Sequence, residues 1–284
     1  MSLSMSEWLA MREAADAAAR ARELLGPVRR ALPAGPDRRG PLVIHDLGCG
    51  TGAMGRWLAG QLPGPQHWVL YDRDAELLKL AADRAEPAAG DGTAVTVEPR
   101  LRELTTLTAA DLAGAALVTA SALLDMLTRD GMDRIAAACV GAGCPALLAL
   151  SVEGRVLLDP ADPLDAEFEA AFNDHQRRDT GGGRRLLGPD APEYAVAAFT
   201  RLGARVTARP SPWRLGPGHA ELIGEWLRGW VGAACEHRPA LAGPADGYLR
   251  RRLAEAAAGR LRVEVGHCDL FVETAGEPSP ARDT

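Results

Sequence analysis

From Leu42 to Gly55 the chain reads LVIHDLGCGTGAMG, an apolar run that breaks into three alternating glycines. Leu42, Val43 and Ile44 suit a short parallel strand buried on both faces. Gly48, Gly50 and Gly52 then remove three side chains where the backbone must turn tightly and where a ligand can lie almost against the main chain. The apolar pattern resumes at Met54, Trp57, Leu58 and Leu62. It predicts a helix whose free N–H groups and positive dipole end face that ligand.

The glycines alone leave the ligand open, because Gly50, Gly52 and Gly55 also satisfy the dinucleotide fingerprint G-x-G-x-x-G. Asp46 tilts the choice. It puts a carboxylate at the strand's C-terminal end, two residues before the first glycine, where a cationic amino-acid ligand would find a partner and where dinucleotide folds usually carry an apolar residue. With Asp46, Gly48, Gly50 and Gly52 in the order D-x-G-x-G-x-G, the sequence resembles the class I S-adenosylmethionine (SAM) dependent methyltransferases of small-molecule type. The resemblance implies that the turn, Cys49 included, approaches the methionine part of SAM. It implies that Asp46 holds the ammonium end or the loop, and that S-adenosylhomocysteine is the product. An NAD(P)-dependent oxidoreductase using the same turn is the nearest alternative; a non-catalytic SAM-binding protein and an RNA methyltransferase follow.

A second strand, His67 to Asp72, ends in a carboxylate 24 residues after Gly48. Nucleoside-binding sheets place an acid about 20 residues beyond the turn to accept ribose hydroxyls, and the resemblance implies that role for Asp72. Asp74 reads as the N-cap of a helix over 75–85. Tyr71 and Arg73 flank Asp72 as candidates to pack on the adenine. After the third strand, residues 98–103 (EPRLRE) offer no clear counterpart to the family's adenine-contacting acid.

At 284 residues, 30.0 kDa and 47% hydrophobic composition, the chain can bury a large core without metals or disulfides. The expectation is one Rossmann-like α/β domain over 1–284, with a doubly wound, mostly parallel seven-stranded sheet. Within it, 1–40 is a helical N-terminal cover, 41–153 the SAM-binding core, 154–259 an acceptor-specific cap with a late strand, 260–274 the last strand, and 275–284 a flexible tail. Further strands are expected near 94–97, 116–120, 145–152, 205–208 and 261–272. Ser4 and Glu7 stand in capping-box spacing ahead of an Ala-rich helix, and Gly35, Pro36 and Gly40 mark a linker into the first strand.

No stretch reaches the ~18 apolar residues of a membrane span, and no secretory signal opens the chain, so a cytoplasmic protein without a membrane partner is expected. Five cysteines without C-x-x-C spacing read as free thiols. Cys235 with His237, and His267 with Cys268, read as scattered residues, and no metal is expected. A net charge of −6 argues against a nucleic-acid partner.

Acceptor chemistry is sought beyond the strand C-termini. The segment 118–128 (VTASALLDMLT) places Ser121 beside the cofactor and offers Asp125 as a proton acceptor or positioning group. Asp162 to Arg178 reads as a helix carrying His175 beside its apolar stripe, a second candidate base. Next, Arg177, Arg178, Arg184 and Arg185 flank Gly181 to Gly183 in the pattern of a mobile lid. Arg178 and Arg184 are its candidate clamps for an anionic small-molecule acceptor. Trp213 and Trp226 could present aromatic faces to a flat acceptor or to the sulfonium. Whether oxygen, nitrogen or carbon receives the methyl is not written in these residues.

Overall fold

The computed structural model describes residues 3–33, 40–85 and 88–274. The expected linker positions Gly35 and Pro36, and the tail 275–284, lie outside them. In chain order the elements are α1 (Met5–Ala19), α2 (Leu25–Ala31), β1 (Leu42–Leu47), α3 (Ala53–Ala59), β2 (Gln66–Asp72) and α4 (Ala75–Asp83). Then come β3 (Val95–Leu101), β4 (Leu117–Ser121), α5 (Arg129–Gly141), β5 (Ala146–Asp159), α6 (Asp165–Gln176) and α7 (Ala191–Arg201). The chain closes with β6 (Arg205–Pro210), β7 (Trp213–Leu215), α8 (Ala220–His237), α9 (Ala242–Ala257) and β8 (Arg262–Glu273).

The fold is a Rossmann-like doubly wound sheet in the order β3-β2-β1-β4-β5-β8-β6. β1 to β5 are parallel, whereas β8 runs antiparallel to β5, β6 and β7. Among the described residues eight strands stand where seven were expected, for a local reason. β6 pairs with residues 268–273 of β8 and β7 with residues 263–265, so both follow one edge of β8. They are interrupted at Ser211 and Pro212, where a proline has no N–H to give the ladder.

Alternation along the central strands fills both faces. Leu47, Val69, Tyr71 and Val118 enter the core beneath α5 and α7, while Ile44, Trp68, Leu70 and Leu117 enter the one covered by α2, α3 and α4. A third core holds the cap: Phe168, Trp230 and Tyr248 pack with Leu158, Trp213 and Val263 from the far ends of β5, β7 and β8. The strand pair β5/β8 reaches that far because β5 runs for 14 residues, bulging between Leu148 and Ser151 and again before Val156. No helix among the described residues is long and apolar enough to cross a membrane.

The chain passes from β1 to β2 and β3 on one side, then returns to place β4 on β1's other side. This reversal opens a crevice beyond the carboxyl ends of β1 and β4, the general ligand position in open α/β sheets.

Candidate functional site

The glycine turn occupies that crevice. Gly48, Gly50 and Gly52 have φ of +64°, +53° and +82°, the left-handed region that other residues resist. A Cβ on Gly48 would come within 2.9 Å of Leu123 Cδ1, and one on Gly50 within 3.1 Å of Leu9 Cδ1. Gly52 does something else. Its Cβ would meet Ala81 Cα and Cβ at 3.3 Å, so this glycine lets the start of α3 lie against α4 and does not face the crevice.

The turn is held by Asp72 at the end of β2. Its carboxylate accepts the N–H of Gly50 at 2.9 Å and that of Asp74 at 3.0 Å. Asp74 caps α4, accepting from Glu76 and Leu77. Asp46, at the end of β1, is fully buried. Its Oδ1 accepts the Thr119 hydroxyl at 2.7 Å, and its Oδ2 has no partner. Burial pushes the Asp46 carboxyl up to about 7, against the opposing pull of Thr119 and Arg20.

These groups line one cavity of about 320 Å³, bounded by Asp46, Gly48, Cys49, Gly50, Thr51, Asp72, Arg73, Ser121 and Ala122, and roofed by Met5, Leu9, Arg12, Asp16 and Arg20. Ala122 holds a φ of +51°, a strained backbone at the crevice wall. Tyr71 is not an adenine platform: it is fully buried, its hydroxyl tied to His45 and Arg100. Arg100 pairs with Glu98 and Arg102 with Asp111, and neither lines the cavity.

A helical N-terminal cover was expected, but none of the residues that roof the cavity was named for that role. α1 starts in the expected capping box, Ser4 accepting from the Glu7 N–H and Glu7 from the Ser4 N–H. Its hidden anchor is Asp16, buried within an alanine-rich helix, which pairs with Arg12 and accepts the Trp213 indole N–H at 2.9 Å. A charged residue in step with Leu9 and Ala19 was the available signal. Arg20 carried none.

The acceptor candidates are more scattered. Asp125 lies half-buried on the 3-10 turn after β4. Burial pushes its carboxyl up to about 6 while Arg12 and Arg178 pull it down. His175 sits on α6 with its Nδ1 3.9 Å from Glu236 on α8, and burial holds it below the usual histidine range. Neither Asp125 nor His175 lines the cavity. Nor do the four arginines of the expected lid. Gly181 to Gly183 close a small hairpin in which the Thr180 N–H donates to the Arg184 carbonyl. Arg177 pairs with Asp190 at 2.6 Å, Arg178 donates to the His175 carbonyl, and Arg184 and Arg185 donate to the carbonyls of Gly181 and Arg177. Arg184 instead borders a separate cavity of about 360 Å³ with Arg129, Arg177 and Arg185. The loop is fastened beside the exit of β4, Leu187 N–H donating to the Leu127 carbonyl.

The assignment of Trp213 is corrected. Trp213 is buried, with Arg12 5.0 Å from its ring centroid and His267 and Trp8 packed around it, so no face is left for an acceptor. Trp226, half-buried, stacks on Trp230 at 5.1 Å against the cap core and does not line the cavity. Among the described residues no group of three or more histidine, cysteine or acidic side chains is placed to hold a metal.

No family model matches this chain, and no curated protein does. In shape it is similar to SAM-dependent methyltransferases from Methanosarcina mazei, at 12% identity, covering 87% of this chain and 100% of that one, with a TM-score of 0.47. It is also similar to the cyclopropane synthase MmaA2 from Mycobacterium tuberculosis (13%, 87% and 83%, TM-score 0.43) and to the YcgJ protein from Bacillus subtilis (12%, 90% and 100%, TM-score 0.45). At identities and scores this low, likeness of shape says nothing about activity.

Proposed function

We propose that the chain is a SAM-dependent methyltransferase acting on a small-molecule acceptor. The observation that carries this reading is Asp46, a buried carboxylate with one unpartnered oxygen, set beneath a glycine turn that Asp72 holds open. The residues present fit the cofactor. Asp46 offers an acceptor to an ammonium, the turn at Gly48 and Gly50 admits a ligand close to the backbone, and Asp72 stands where a ribose would lie. A dinucleotide fits less well, because its pyrophosphate would lie at a turn beneath which Asp46 sets a buried carboxylate.

SAM supplies an electrophilic methyl on sulfur, so the protein's share is alignment and exclusion of water. Leu9 and Met5 close the cavity from α1. Asp125, poised near 6 at the mouth of β4, is the candidate to take the acceptor's proton. His175 is the weaker candidate, turned toward Glu236.

Calorimetric titration with SAM, S-adenosylhomocysteine and NADH tests the cofactor directly. Binding of the first two and not of NADH is expected. NADH binding without S-adenosylhomocysteine would favour the oxidoreductase reading.

A further inference from the structure

We propose that Arg20 seats the carboxylate of the cofactor's amino-acid end, so that Arg20 and Asp46 together bind that end as a zwitterion; this rests on the SAM reading above. Arg20 follows α1, lines the same cavity, and is 3% exposed. Its Nη2 donates to Ser121 Oγ at 3.3 Å, and its guanidinium stands 5.1 Å from the Trp57 ring centroid. Nε and Nη1 have no partner. A buried cation with unmade hydrogen bonds is costly, and the cost is removed when a ligand brings the missing acceptor.

The nearby carboxylates do not supply it. Asp16 is committed to Arg12 and Trp213. Asp269 is committed to the N–H groups of Ala21 and Leu150 and to the Ser211 hydroxyl. Of these three described carboxylates, Asp46 alone keeps an open oxygen, and that oxygen lacks a donor. Two opposite charges, each incompletely bonded and both lining a cavity of about 320 Å³, match a ligand carrying one ammonium and one carboxylate. A phosphate would satisfy Arg20 but set a dianion beside Asp46. Thr51, whose hydroxyl is also unpartnered in this cavity, and Ser121 add neutral donors for the carboxylate.

The test compares S-adenosylhomocysteine with 5′-methylthioadenosine, which keeps the nucleoside and thioether but has no amino-acid tail. Titrations use the full chain as wild type, Arg20→Met and Arg20→Lys. Arg20→Met should bind S-adenosylhomocysteine about 10- to 100-fold more weakly and 5′-methylthioadenosine unchanged, with Arg20→Lys recovering part of the loss. Retained 5′-methylthioadenosine binding also reports that the variant is folded. Equal weakening of both ligands, or of neither, overturns the assignment. Independently of any variant, the wild type should bind decarboxylated S-adenosylhomocysteine about 10- to 100-fold more weakly than the parent; equal affinity overturns the assignment while leaving the SAM reading intact. A wild type that binds none of these nucleosides overturns both.

Discussion

At Asp46, burial and the ammonium of the proposed ligand pull in opposite directions. Burial holds the carboxyl at about 7 in the free protein, whereas an ammonium requires the carboxylate. Below pH 7 the ligand must therefore displace a proton. Affinity for S-adenosylhomocysteine should fall up to about tenfold per pH unit below 7 and level off above it. Asp46→Asn should weaken binding at pH 8 and flatten the profile; calorimetry between pH 5.5 and 8 checks both. Asp72 is a different kind of residue, since its oxygens already accept from Gly50 and Asp74. Asp72→Asn should cost roughly 1.5 to 3 kcal/mol of S-adenosylhomocysteine affinity and also lower the melting temperature, because a charge-assisted hold on the turn is lost. An unchanged melting temperature would leave only the ligand-contact role.

Among the elements, α1 most changes the view of the site. Its beginning is legible because Ser4 and Glu7 are three residues apart. Its docking is not, because Trp213, the partner of Asp16, lies 197 positions away in sequence. Local patterns show that a helix forms, and only the assembled fold shows what it covers. Asp16→Ala would leave the Trp213 N–H buried without an acceptor and release Arg12, at an expected cost of about 1 to 3 kcal/mol. Hydrogen exchange across residues 5–19 should quicken in this variant and slow again with saturating S-adenosylhomocysteine. Exchange as slow as wild type would mean that α1 is held by its apolar contacts alone. The break between β6 and β7 was equally hidden: the strand expected near 205–208 carries on past Pro210, since Ser211 N–H continues the edge by donating to the His267 carbonyl.

For the whole molecule, the sequence was most transparent where motif and local geometry coincide, at Asp46, Gly48, Gly50 and Asp72, which line one cavity. It was least transparent in the cap, where Trp213 and Trp226 satisfy packing demands indistinguishable in sequence from those of a pocket. The same burial sets the response to acid. Asp46, Asp125 and Asp269 are held above the ordinary carboxylate range, so each favours the fold most when protonated and loses that contribution as pH rises from about 4 through its folded value. His45 and His267 are pushed down to about 4 by burial, so their contribution is present above about 6.5 and lost as pH falls toward 4. Between pH 4.5 and 6 the two sets oppose each other, since unfolding releases protons from the acids and takes them up on the histidines. The melting temperature of the free protein should therefore change little across that window. Asp125→Asn removes one acid and leaves the histidines with more weight, so its melting temperature should climb with pH over the same interval relative to wild type. Scanning calorimetry in matched buffers at pH 4.5, 5.25 and 6 decides it: parallel profiles for the two proteins would show that Asp125 titrates no differently in the fold than in the unfolded chain, and with that its standing as the acceptor's base would be lost.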